Sequence, residues 1–267
     1  MRNQSVASVV KPRMKLLGLG LAMVAFITPS FSADFFRPSQ AQQLQLGKRA
    51  AKELRSTEKV LPSSDPRVIT LRRVARRLLS TFSDPKSPWE YSFDVIDKKD
   101  VNAFALPGGP TFFYTGLLSK MTTEDQLAGV LGHELTHVRR EHWASAYADS
   151  QKRDILLTLA LIFTHASRMI GDIASITNQV VFDLRFSRKH ETEADEGGFA
   201  MMMAAGFNPQ GMADVFQMLR TASKGDRPPE FLSDHPDDKN RIKHINDLIA
   251  KSGRSYGPQV PLSWSKR

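Results

Sequence analysis

Residues 123–137 read TEDQLAGVLGHELTH. Thr123, with Gln126 three residues on, forms a capping box, so a helix opens here. The spacing predicts that it runs through His142 or beyond. At about 3.6 residues per turn, His133 and His137 fall on one face, one turn apart. Two imidazole nitrogens placed so can share one zinc ion. Glu134, the immediate neighbour of the first histidine, can reach a water at the metal without ligating it. Zinc lowers the pKa of such a water toward roughly 7. Glu134 can then take its proton and pass it to the leaving amine of a peptide. The same five residues also occur by chance on surface helices, so their meaning depends on a third ligand.

The sequence constrains where that ligand lies. A metzincin requires Gly and His seven and ten positions past the first histidine. Arg140 and Trp143 stand there, which excludes that class. The other common solution is a glutamate from a later helix, and residues 190–195 read HETEAD. Glu191 and Asp195 are four apart and share a helical face. Glu191 would complete the metal triad, and Asp195 would hold the outer nitrogen of a ligand histidine. Glu193 is a rival ligand, but its same-face partner is Gly197, which can orient nothing. An acidic first turn is also what a helix dipole favours by itself.

Read in order, NAFALPGGPTFFYTGLL (102–118), HELTH, ETEAD and His235-Pro236 resemble the exported HExxH zinc metallopeptidases of the BepA, LoiP and HtpX family, to which the CAAX prenyl protease is related. The resemblance covers about Gln42 to Ile249. It implies a helix-rich α+β fold, a zincin-like gluzincin domain with one small sheet. It also implies one Zn2+ per subunit on His133, His137 and Glu191, with Glu134 catalytic. The strand near 102–109 would present an edge to extended polypeptide, because an unpaired edge can hydrogen-bond any peptide backbone. His235 and Arg241 match the family's His-Pro-x4-Arg pattern, which implies a pair near the oxyanion. In some relatives this histidine is also thought to sit on the zinc. His142, His165, His190 and His244 read as structural or surface residues.

Around these motifs the chain reads as follows. A polar lead-in with a helix from Ser39 to about Thr57 occupies 33–62. Asp65-Pro66 caps a second helix to about Phe82. Trp89, Tyr91, Phe93 and Val95 alternate with more polar neighbours, which predicts a strand with one buried face. Val101–Leu106 and Thr111–Tyr114 are short strands around a Pro-Gly-Gly-Pro turn. An apolar helical region, 152–184, joins the two ligand segments and is expected to cover the site. Helices from Arg188 to Ala205, Gln210 to Ala222 and Asp237 to Lys251 follow. The metallopeptidase domain is expected over 63–252, with a tail at 253–267.

Four basic residues precede the apolar stretch Leu16–Thr28, and Ser30-Phe31-Ser32 follows. Thirteen apolar residues are short against the roughly 20 needed to span a bilayer. Residues 1–32 therefore read as a cleaved export signal, and the mature chain is expected to start near Ala33 in the periplasm. Those four residues, unaccompanied by acid, lower the excess charge from +9 to +5 outside the segment. No basic cluster with interleaved aromatics occurs, so no nucleic acid is expected. Arg72, Arg73, Arg76 and Arg77 read as the wet face of the second helix, opposite Ile69, Val74 and Leu78. Peripheral contact with acidic lipid headgroups is their one alternative use. With no cysteine, thiolate metal sites and disulfides are excluded. The function expected is zinc-dependent cleavage of misfolded or unassembled envelope proteins. A zinc-stabilised, chaperone-like binding module is the competing reading.

Overall fold

The computed structural model describes residues 36–81, 87–151, 185–223, 229–235 and 240–264. The chain divides into two units, Met1–Ser32 and Ala33–Arg267. The first unit, with the expected export signal, lies outside the described residues. So do 152–184, where the covering segment is expected, and His165.

Helix α1 (Gln40–Thr57) opens on a complete capping box between Ser39 and Gln42. Helix α2 (Pro66–Leu79) is capped by Asp65, with proline in its first turn. Strands β1 (Ser92–Ile96), β2 (Ala103–Ala105) and β3 (Pro110–Tyr114) form one sheet in the order β1-β3-β2. β1 runs parallel to β3, and β2 antiparallel, with Phe104 opposite Phe112. A short helix α3 (Thr115–Lys120), unforeseen from the sequence, leads to α4 (Glu124–Arg139). Helical residues 142–151 form α5. Beyond the undescribed segment come α6 (Arg188–Ala205), α7 (Gln210–Ala222), the single turn α8 (Phe231–Asp234) and α9 (Arg241–Ser252).

The sheet is covered on both faces, which corrects the expectation of one buried face for β1. Phe93, Val95 and Phe113 join the main core with α2, α4 and α7. Ile96, Phe112 and Tyr114 face the other way and pack with Ala51 of α1. A strand buried on both faces reads as a continuous apolar run, as Phe112-Phe113-Tyr114 does. Asp94 interrupts β1 and is buried, but Arg55 and Arg72 neutralise it at 2.7 and 2.9 Å. The turn before β3 depends on glycine. Gly109 has φ 120°, and a Cβ there would stand 2.8 Å from the Glu90 carbonyl oxygen.

Two readings of α2 need correction. Ile69 is 51% exposed, and Val68, Leu71, Val74, Ala75 and Leu78 fill the buried face. Nor is the arginine row simply wet. Arg72 reaches Asp94 and the Phe93 carbonyl, Arg73 pairs with Glu124, and Arg77 donates to the carbonyls of Ala205 and Gly206. The arginines of α2 therefore lace it to β1, α4 and the end of α6.

Every residue of α4 from Glu124 to Val138 is buried. A helix enclosed on all sides must satisfy its polar side chains internally, and that requirement fixes the centre described next. The helix does not continue through His142 as its pattern predicts. It ends at Arg139, and Glu141 takes a left-handed conformation at φ 53° before α5 begins. The last helix begins at Arg241 rather than Asp237, with Asn240 as its cap residue. The terminal segment after α9 is pinned to the body. Leu262 is fully buried, and its N–H donates to the Thr122 carbonyl at 2.9 Å.

Candidate metal centre

Helices α4 and α6 cross where two glycines meet. A Cβ on Gly132 would lie 3.1 Å from the Gly198 Cα, and one on Gly198 would lie 2.8 Å from the His133 nitrogen. This close approach brings His133 and His137 of α4 against Glu191 of α6. His235, at the end of α8, closes the group. All four are buried, with one donor atom from each within 4.8 Å of the others.

The donor atoms of the four side chains converge closely. His133 Nε2 lies 3.0 Å from His137 Nε2 and 3.2 Å from His235 Nδ1. The Glu191 carboxylate is 3.1 Å from His235 Nδ1, 3.4 Å from His133 Nε2 and 3.6 Å from His137 Nε2. A tetrahedral zinc ion with bonds of about 2.0–2.1 Å would separate its donors by roughly 3.3–3.4 Å. The observed separations bracket that figure. Three nitrogens and one carboxylate, converging in a buried space, are also the donor chemistry zinc prefers. The residues present fit a metal ion.

The outer side of the centre is built as carefully. His133 Nδ1 lies 3.0 Å from Asp195 Oδ1, so Asp195 stands where a partner for the outer nitrogen was expected. Arg241 donates to Asp195 through Nε and Nη2, at 2.8 and 2.7 Å, and its Nη1 lies 2.8 Å from Glu191 Oε2. Burial works to raise the Asp195 carboxyl, but the Arg241 guanidinium outweighs it and holds the group below the usual carboxylate range. Arg241 was expected beside His235 at the oxyanion. It is forked between two carboxylates, with its guanidinium carbon over the Phe216 ring, 4.4 Å from the centroid. The physical reason is charge: a buried carboxylate pair draws the nearest guanidinium into a two-point bond.

His235 is enclosed by ring contacts. Its Nε2 is 3.3 Å from Glu134 Oε1, and its ring lies between Phe231 and Phe186, at centroid distances of 4.5 and 5.4 Å. Glu134 itself accepts from the Ala105 N–H at 3.0 Å. The carboxylate next to the metal donors is thus bonded to the backbone of β2, an edge strand of the sheet.

One residue of the centre was missed by sequence reasoning. His142 is buried, with Nδ1 3.0 Å from His137 Nδ1 and Nε2 3.1 Å from Glu193 Oε2. Burial pushes the His142 imidazole down to about 4, so it is neutral near pH 7. Burial, then the neighbouring His133 charge, likewise holds His137 well below the ordinary imidazole value. His142 is five residues from His137, a spacing that faces away on an unbroken helix. Only the turn at Glu141 brings it back, and no Gly or Pro marks that turn. His244 is half-exposed and pairs with Glu196, as a surface histidine should. Among the described residues no helix is long and apolar enough to cross a membrane.

Comparison with known proteins agrees with this geometry. The chain is 28% identical over 237 residues to the β-barrel assembly-enhancing protease of Escherichia coli K12, covering 82% of this chain and 47% of that protein. It is 31% identical to the mitochondrial metalloendopeptidase OMA1 of Schizosaccharomyces pombe, over 78% of this chain and 61% of the relative. With the metalloprotease YcaL of Escherichia coli K12 it shares 30% identity over 79% of this chain and 82% of that one. The chain thus spans about half the length of the β-barrel assembly-enhancing protease it matches. The family model for Peptidase family M48 matches residues 67–249, which contain every residue of the centre described above, and the chain belongs to that family.

Proposed function

We propose that the chain is a zinc-dependent endopeptidase acting on extended segments of misfolded or unassembled cell-envelope proteins, outer-membrane proteins foremost. One observation carries the reading. Glu134 is bonded to the edge strand on one side and lies beside the metal donors on the other. A base in that position can serve a peptide laid along β2, whose main chain would be held by strand-type hydrogen bonds. A pure binding module has no need of it.

Zinc held by His133, His137 and Glu191 would supply Lewis acidity, making water acidic enough to lose a proton near neutral pH. Glu134 takes that proton at a carboxylate oxygen and returns it to the amine that leaves. Asp195 fixes the His133 ring, and Arg241 keeps Asp195 ionised while pairing with Glu191. With His235 Nδ1 in place the donor set is already complete, so His235 must withdraw before a substrate carbonyl can approach. The inferred setting is the periplasm, after residues 1–32 are removed, with peripheral contact to acidic lipid. Support comes from the apolar leader and from relatives named for β-barrel assembly.

The test compares wild type with Glu134→Gln, purified with zinc. The amide retains an oxygen that can accept from Ala105, so the fold should persist. Cleavage of an unfolded outer-membrane protein should fall by about 10²–10⁴-fold with zinc content unchanged. The variant, expressed in its native envelope, should retain such proteins on purification. Equal protection of the envelope by both proteins would favour the binding module instead.

A further inference from the structure

We propose that His142 and Glu193 are positioning residues that fix the tautomer and orientation of His137, a second outer arm matching the one that Asp195 supplies to His133. The inference rests on His137 being a metal ligand.

The argument follows the hydrogens. The His137 Nε2 atom faces the other donors, at 3.0 Å from His133 Nε2. It can bind a metal only through its lone pair, so the ring hydrogen must sit on Nδ1. That hydrogen needs a buried acceptor, and the atom 3.0 Å away is His142 Nδ1. Two Nδ1 atoms in contact leave the direction of the bond open. Glu193 settles it. Its carboxylate only accepts, and it lies 3.1 Å from His142 Nε2. Nε2 therefore carries the hydrogen of the neutral ring, and Nδ1 is left as an acceptor. The chain then has a single polarity. His142 Nε2–H donates to Glu193, His137 Nδ1–H donates to His142, and His137 Nε2 offers its lone pair inward.

An incidental buried histidine would need only to be satisfied. This one is also held in aim. Its ring stacks on His190 at 4.5 Å and 15°. The left-handed Glu141 immediately before it swings the chain off the α4 axis. The carboxylates that end both outer arms come from one stretch of α6. Within Glu191–Asp195 that helix supplies a ligand, Glu193 for the His137 arm and Asp195 for the His133 arm. Groups in this outer position typically change metal affinity by about 10–100-fold when removed.

The experiment measures zinc affinity, by competition with a chromophoric chelator, on the mature chain. Four variants are compared with wild type: His142→Phe, His142→Gln, Glu193→Ala and His137→Ala. Long-range nitrogen NMR on the metal-free protein reads the His137 tautomer. In wild type the hydrogen should be on Nδ1. His142→Phe retains a ring against His190 but removes the acceptor. It should weaken zinc by about 10–100-fold and mix the His137 tautomers. His142→Gln offers a carbonyl to the same hydrogen and should recover most of the loss. Should His142→Phe fail to fold, Glu193→Ala carries the test, because Glu193 is partly exposed; it should weaken zinc severalfold. Wild-type affinity in both His142→Phe and Glu193→Ala would overturn the proposal. So would equal losses in Phe and Gln, which would mean packing alone. Unchanged zinc binding in His137→Ala would instead overturn the ligand assignment beneath it.

Discussion

His235 Nε2 lies 3.3 Å from Glu134 Oε1, while its Nδ1 lies 3.1 Å from Glu191 Oε1. One ring therefore engages both the base and the metal donors. On the proposed function, it stands where a substrate carbonyl would have to approach them. His235→Ala should raise basal peptide cleavage severalfold at saturating zinc, because the base is released and a corner of the donor set opens. Zinc affinity should fall at the same time, since one donor is gone. Initial rates in a zinc-buffered assay check both effects. A lower kcat with unchanged KM would assign the ring to the transition state, as the family resemblance implies.

Arg241 gives a sharper contrast between two roles. It is the cation for two buried carboxylates, Asp195 and Glu191. Arg241→Ala should leave them uncompensated and cost about 3–5 kcal/mol in the metal-free protein. Arg241→Lys should recover only part, because an ammonium cannot form the two-point bond. Urea unfolding of the apo proteins reads this directly. A residue acting at the oxyanion would cut kcat and leave the unfolding midpoint where it was.

The contacts of Arg241 show what the sequence can and cannot carry. Spacing along a helix determines which side chains share a face, so His133 with His137, and Glu191 with Asp195, were legible from periodicity. The α6 boundaries were legible too, because Ser187 and Gly206 are ordinary end signals. Spacing says nothing about which side of a carboxylate an approaching guanidinium takes, which is settled only by packing. Glu141 is invisible for a related reason. A non-glycine residue in the left-handed region carries no compositional mark, so the end of α4 and the return of His142 were hidden together. Ile69 was misassigned by one helical step, since the row Val68-Leu71-Ala75-Leu78 fits the buried stripe better than Ile69 does.

The α4–α6 crossing should be intolerant of a single methyl group. A Cβ at Gly198 would meet the His133 nitrogen at 2.8 Å and the Gly132 carbonyl carbon at 3.0 Å, both rigid backbone. Gly198→Ala should therefore push the helices apart and cost about 1–3 kcal/mol. Because His133 and Glu191 ride on those two helices, zinc affinity should fall with stability. Gly253→Ala meets no atom within 4 Å. It should cost stability only through its backbone conformation at φ 60°, with zinc affinity retained. Calorimetry and chelator competition on the two variants separate the effects.

The corner before His142 should be sensitive to acid. The Glu141 carboxylate accepts from Gln43 at 2.8 Å, Gln40 at 2.9 Å and Arg37 at 3.3 Å, tying the start of α1 to the end of α4. Burial works to raise its pKa, but the bonds from Gln40 and Gln43, with the Arg37 charge, outweigh it and hold the group below its ordinary 4.5. A carboxyl whose pKa is lower folded than unfolded stabilises the fold fully above the unfolded value. That contribution is lost as pH falls from 4.5 through the folded value. Neutral pH should therefore leave the corner intact, and acid below that value should loosen α1. Glu141→Gln retains an acceptor oxygen but removes the charge. It should cost about 1–2 kcal/mol at pH 7 and flatten the dependence of unfolding on pH below 4.5. Urea titrations of both proteins at pH 7 and across the acid range measure the two quantities. Parallel pH profiles would show that these bonds do not hold the corner. The turn at φ 53° would then have to be set by the packing of Trp143 and Ala144 alone.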